Sequence, residues 1–244
     1  MEVNLIEKFR FIWRAWRYLK RLDPYGIDFL LKNLSKGDTA LDIGAHKGAY
    51  SYWMHKAVGN AGKVFSFEPQ PPLCDYLKKL ARQLRLSSLV VECIGISSSD
   101  GVSELTVPSK RRGEPSPGAT LEQDGEFEDH YSLNVNVKTL DSYFENRDSR
   151  PIRLIKCDVE GHELEVFRGG ERILKKDMPI LLFECEQRHH KVDSVWNIFD
   201  YLMALGYQGY FFLNGDLRPI REFDVGQLQD IEGSTYIANF IFQK

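Results

Sequence analysis

The sequence has little cysteine, no surplus of positive charge and no long hydrophobic run. Its four cysteines in 244 residues, Cys74, Cys93, Cys157 and Cys185, are widely spaced. No two form a C-x-x-C, which argues against a zinc ribbon or a redox motif. Three of them lie in apolar, strand-like runs, so reduced core residues of an intracellular protein are expected. Lys and Arg number 32 against 35 Asp and Glu, a net charge of −3, so there is no general basic field to hold nucleic acid. An Asn/Asp-Pro-Pro-Tyr/Phe block for a flipped base is missing as well. No stretch reaches the ~18 apolar residues that span a bilayer. The first residues lack the apolar core and cleavage site of a secretory signal, and the expected location is cytoplasmic.

What is present is enough apolar material, 43% of the chain, to bury a sizeable core in one large α/β domain or two small ones. The first 22 residues alternate Lys8, Arg10, Arg14, Arg17, Lys20 and Arg21 with Phe9, Phe11, Ile12, Trp13, Trp16, Tyr18 and Leu19. Their spacing predicts a basic amphipathic helix over 5–22, part of a helical extension over 1–34. Such a helix either packs on the domain, its long basic stems covering apolar surface, or contacts a membrane or a partner. Asp23-Pro24-Tyr25-Gly26 breaks it, and a second short helix is expected at 27–34.

From residue 35 onward apolar strands alternate with helical stretches. Strands are predicted at 39–43, 62–68, 89–96, from 152 up to the acid at 158, and at 179–186, with a last pair at 207–213 and 236–242. That order implies a doubly wound, mostly parallel sheet covered on both faces. An insertion at about 103–137 interrupts it. The insertion holds two short strands and a Gly- and Pro-rich loop over 108–130, which is either a lid or a floppy segment.

Three predicted strands run into acids: Asp42, Glu68 and Asp158. Ligands of open parallel sheets bind at the carboxyl ends of strands, so these carboxylates should converge. After Asp42 comes Gly44-Ala45-His46-Lys47-Gly48, a tight strand-to-helix turn that lets a ligand approach backbone N–H groups. The turn lacks the third glycine of G-x-G-x-x-G, which argues against a pyrophosphate and an NAD-dependent oxidoreductase. A cofactor with a nucleoside and an amino-acid tail suits it better, and S-adenosylmethionine (SAM) fits. Glu68, about twenty residues on, would meet the ribose. Gly44–Gly48 would carry the methionine end, and Gly95 and Ile96 would lie by the adenine.

The segments Leu41–Ser51, Phe67-Glu68-Pro69, Val137–Asp141 and Ile155–Glu163, with the block Asp158-Val159-Glu160-Gly161, resemble the FkbM type of SAM-dependent methyltransferase. The resemblance covers roughly 39–186. It implies a class I methyltransferase domain over 35–244, with a seven-stranded sheet and one antiparallel strand at its edge. It implies O-methylation of a hydroxyl on a small molecule or sugar. Cofactor contacts would come from Asp42, Gly44, Ala45, Gly48, Tyr50, Ser51, Glu68, Pro69, Gly95, Ile96 and Asp158. An alcohol needs a base to take its proton, and Asp158, Glu160 and then His162 are the candidates. Glu184, Glu186, His189 and His190 could line the acceptor pocket. No metal is assigned, and magnesium on Asp158, Glu160 and Glu184 is the less favoured variant. A non-enzymatic scaffold that binds a partner through the basic helix is the remaining alternative.

Overall fold

Asn4 starts the first helix, α1 (Leu5–Arg17): its side chain accepts from the Glu7 N–H at 2.9 Å and Glu7 answers to the Asn4 N–H. Satisfying two orphan amides at once is what sets the boundary. The computed structural model describes residues 3–109, 111–122, 129–146, 150–190 and 194–244. After α1 the chain makes a π-helical turn, Tyr18–Leu22, and enters α2 (Pro24–Asn33). That helix begins three residues before the expected 27, because Asp23 caps it and Pro24 takes its first position.

The strand β1 (Thr39–Ile43) follows, buried along its whole length, then α3 (Ala49–Val58), β2 (Lys63–Phe67), α4 (Pro71–Gln83) and β3 (Leu89–Glu92). The run expected at 89–96 is divided, since Gly95–Ile96 form a separate strand, β4. In the insertion β5 (Gly101–Pro108) and β6 (His130–Lys138) make an antiparallel ladder, and β4 joins β6 to complete a small second sheet. Part of the expected lid, residues 110 and 123–128, lies outside the described residues.

The turn α5 (Leu140–Tyr143) leads to β7 (Ile152–Cys157), α6 (Glu163–Arg168), α7 (Glu171–Asp177) and β8 (Ile180–Glu184). Two short helices rather than one continuous helix connect β7 to β8. They are separate because Gly169 and Gly170 pack where a side chain would strike the Ser97 carbonyl and Leu140. The chain closes with α8 (Val195–Ala204), β9 (Gln208–Leu213), β10 (Asp216–Pro219), α9 (Val225–Leu228) and β11 (Asn239–Gln243).

The large sheet has eight strands in the order β10-β9-β11-β8-β7-β1-β2-β3. From β8 to β3 every pairing is parallel, whereas β11 runs antiparallel to both β8 and β9. Two expectations are corrected here. The antiparallel strand is inserted between two others rather than placed at the edge, and the hairpin strand β10 adds an eighth. One apolar cluster, centred on Phe67, Phe167, Phe183, Phe199 and Phe240, fills one face of the sheet. The other cluster, with Phe11, Ile27, Leu30, Trp53, Met54 and Leu77, seats α1 to α4.

The expectation of four reduced cysteines also fails. Cys74 on α4 and Cys93 just past β3 form a disulfide, with Cα atoms 5.5 Å apart. Each cysteine looked like a core residue in its own stretch. Only the return of α4 across β3 brings the two together.

Candidate active site at the strand ends

The chain order reverses between β1 and β7, where Asp42 lies beside Lys156 and Ile43 beside Cys157. This is the topological switch point, where an open parallel sheet leaves a crevice past its carboxyl ends. Gly44 leaves β1 with φ +78, and a Cβ there would sit 1.8 Å from the Asp158 carbonyl oxygen. Glycine is therefore required for β1 and β7 to end side by side.

Two cavities open at this point. Gly44, His46, Pro117 and Asp158 line both. The larger, about 180 Å³, is the acid-lined one: Asp42, Asp158, Glu160 and Glu184 face Lys156, Tyr50, Lys47, Arg14 and Tyr18. The smaller, about 40 Å³, is largely apolar, walled by Phe67, Ile94, Gly95, Ile96, Leu105 and Leu121 with Glu68 and Pro69 at its edge. Pro117, Ala119 and Leu121, all from the insertion, contribute to its wall.

Charge is concentrated in the larger cavity. Lys156 is 1% exposed, and its Nζ stands 3.7 Å from Asp158 Oδ2 and 5.2 Å from the centre of the Tyr50 ring. Burial works against its charge, but Asp158 and Glu184 outweigh it and raise its pKa. Burial, then the Asp158 charge, pushes the Glu160 carboxyl up to about 8. For Glu184 the Asp158 charge comes first and burial second, and its value also rises to about 8. Burial lifts Asp42 to about 6 despite the hydrogen bond it accepts from Ser51. Glu160 holds a left-handed backbone, φ +55, uncommon for a side chain with a Cβ. The Thr120 hydroxyl donates to its carbonyl at 2.8 Å, and His189 Nε2 lies 3.5 Å from its carboxylate.

Glu68 directly follows β2, its carboxylate turned to the turn after β1. Oε2 accepts the His46 N–H at 2.7 Å and Oε1 the Gln70 N–H at 2.9 Å. Burial raises its pKa to about 7 against those two bonds. A carboxylate offers about four acceptor positions, so each oxygen keeps one for a ligand hydroxyl.

Several residues expected at the site stand elsewhere. His162 lines neither cavity: Nδ1 meets Glu122 Oε1 at 2.6 Å and Nε2 meets Ser97 Oγ at 2.9 Å, so it ties the insertion to the body. A Cβ on Gly48 would meet Leu77 and Phe11, so this glycine serves helix packing. Ser51 lies beneath the cavity floor, donating to Asp42 and 2.8 Å from Ser66. Ala45 and Tyr50 do line the larger cavity, and the Tyr50 hydroxyl donates to Asp23. Of the second group, Glu184 lines the cavity, while Glu186, His189 and His190 do not.

The sequence reading missed Lys156, Arg14 and Tyr18. A lysine one residue from the end of an apolar strand was the available signal for the first. For Arg14 and Tyr18, one turn apart, nothing in the sequence pointed inward. Among the described residues Arg14 Nη1 and His46 Nε2 are buried without a hydrogen-bond partner, and both residues line the larger cavity. Burial, helped by Lys47 and Arg14, lowers His46 to about 4, so its ring is neutral.

The family model described as the methyltransferase FkbM domain matches residues 42–211. The chain is 28% identical over 151 residues to the hexuronic acid methyltransferase AglP of Haloferax volcanii, covering 61% of this chain and 56% of that one. It is 30% identical over 163 residues to the methyltransferase sdnD of Sordaria araneosa, covering 57% and 62%. The chain thus spans less than two thirds of the length of either relative. Among solved structures, the methyltransferase FkbM of Methylobacillus flagellatus superposes with a TM-score of 0.54 at 16% identity, over 86% of this chain and 44% of that one. Protein SMU.1697c of Streptococcus mutans, solved with SAH, gives 0.52 at 13% identity over 92% and 99%. At these identities the two structures bear on the fold alone.

Proposed function

The chain belongs to the FkbM methyltransferase domain family, and from that premise we propose that it is a SAM-dependent enzyme that O-methylates a hydroxyl on a small molecule or sugar. The observation that carries this reading is the pair of joined cavities at the switch point. The smaller is walled mostly by apolar side chains with Glu68 among them, and the larger is charged. A cofactor with a flat base, a ribose and a zwitterionic tail matches that division. The apolar walls would take the base, and Glu68 would accept from the ribose hydroxyls. The buried, unpartnered nitrogens of Arg14 and His46 would meet the tail carboxylate. Pro117, Ala119 and Leu121 of the insertion would then pack against the base.

When bound, SAM supplies an activated sulfonium methyl, and the protein's task is to align and deprotonate the acceptor. Glu160 is the base in this proposal. Its carboxyl is raised to about 8, so once deprotonated it is a stronger base than an ordinary carboxylate, and the deprotonated fraction grows as pH rises toward 8. Asp158, paired with Lys156, orients the acceptor, and Glu184 lies on the same wall. The hexuronic acid named for the Haloferax volcanii relative makes a carboxylated sugar the first acceptor to try.

An NAD reading gains nothing from the glycines. The space beside Gly44 is filled by the Asp158 carbonyl and that beside Gly48 by Leu77, so neither opens a cradle for a pyrophosphate. The test is calorimetric titration of SAM and SAH into the protein, repeated with Glu68→Ala. Binding weakened about 10- to 100-fold in the variant is expected, the loss of hydrogen bonds to a charged acceptor. No heat from either ligand with folded protein would sink the proposal.

A further inference from the structure

Helix α1 carries two faces of opposite kind. Its inner face is packed: Phe11 and Ala15 are buried, Phe11 meets Tyr52 edge-on with centroids 5.7 Å apart, and Trp53 Nε1 donates to the Ala15 carbonyl at 2.8 Å. Its outer face is a ridge of large apolar side chains in the open. Leu5 is 67% exposed, Ile6 63%, Phe9 66%, Trp13 62% and Trp16 46%. At about 100° per residue these five fall within one arc of about 100° on the helix. Trp16, at one margin, leans edge-on against Trp53 of α3 with ring centroids 5.1 Å apart, and no described element covers the rest of the arc. Scattered exposed hydrophobics need no explanation, but five contiguous on one helix, two of them tryptophan, mark a contact surface.

The charge around the ridge selects the occupant. Residues 1–22 hold six Lys and Arg and two Glu, a net +4, so the remaining chain carries −7. Arg10, Arg17, Lys20 and Arg21 are all exposed, and the Arg17 guanidinium lies 5.6 Å above the Trp13 ring. A second copy of this chain would bring the same positive surface against itself. An anionic lipid surface offers what the ridge lacks, namely hydrocarbon for Leu5, Phe9 and Trp13 and negative charge for the flanking cations. No described helix is long and apolar enough to cross a membrane, so the contact would lie in the plane of the surface.

We propose that the outer ridge of α1 docks this protein on an anionic phospholipid surface. The proposal stands apart from the methyl-transfer reading.

The test is sedimentation of the full chain with phosphatidylcholine vesicles holding about 30% phosphatidylglycerol, beside pure phosphatidylcholine vesicles. Binding to the anionic vesicles alone is expected, weakened about tenfold by high salt. Phe9→Glu and Trp13→Glu should each weaken it at least about tenfold while leaving the circular dichroism melt in place, since both positions face solvent. Tryptophan emission of the parent should shift to the blue on binding, as Trp13 and Trp16 leave water. Absence of binding at low salt would overturn the proposal, as would binding indifferent to both substitutions. So would a parent dimer in sedimentation velocity that Trp13→Glu splits without any vesicle binding.

Discussion

The crevice past β1 and β7 and the outer ridge of α1 break the ordinary rule of burial in opposite directions. The crevice buries charge: Lys156, Asp42 and Glu68 are each 2% exposed or less. The ridge leaves tryptophan, phenylalanine and leucine in solvent. Buried charge costs free energy unless it is paired, and the fold repays it here with Asp158 for Lys156, Ser51 for Asp42 and two backbone N–H groups for Glu68. The ridge has no such compensation among the described residues. The contrast separates a site that the fold must hold together from a surface that the fold merely carries.

The largest expected effect breaks the crevice itself. Gly44→Ala would place a Cβ against the Asp158 carbonyl at a backbone angle that favours glycine, prying β1 from β7. We expect a loss of at least about 4 kcal/mol in urea unfolding, with the ridge's vesicle binding unchanged in whatever protein remains folded. A smaller effect on stability and a large one on rate is expected from Glu160→Gln. Only the deprotonated carboxylate can take a proton, so kcat/KM of the parent should climb with pH and level off above about 8. The variant should lose about 10²- to 10³-fold and show no such limb. A pH profile that keeps the limb in Glu160→Gln would move the base elsewhere, to Glu184 first. The smallest effect sharpens the other side of the comparison. Trp13→Ser should change the unfolding free energy by no more than about 0.5 kcal/mol, because its ring is already in water. A loss of several kcal/mol would mean that the ridge is covered in solution.

Much of the scaffold was legible. The alternation of apolar strands and helices, the acids Asp42, Glu68 and Asp158 at three strand ends, and the glycine turn between the first strand and its helix are local patterns. They were read correctly, and the fold brings the three acids to the two cavities. Boundaries set by caps were harder, as Asp23 with Pro24 and the Gly169-Gly170 break show. The antiparallel β11 was legible as a strand, but its insertion between β8 and β9 was not, since nothing in residues 239–243 names a neighbour.

What the sequence determined by itself is whatever depends on residues close along the chain. Hydrophobic period decides helix or strand, and turn chemistry decides where each ends. What only the tertiary structure decided is which distant side chains meet. His162 turned from a candidate base into a tie between Glu122 and Ser97. Cys74 found Cys93, Lys156 came to face the strand-end acids, and Arg14 and Tyr18 came over from the first helix into the cavity. Periodicity fixes the face on which a residue sits, but the crossovers and the strand order determine what that face is pressed against.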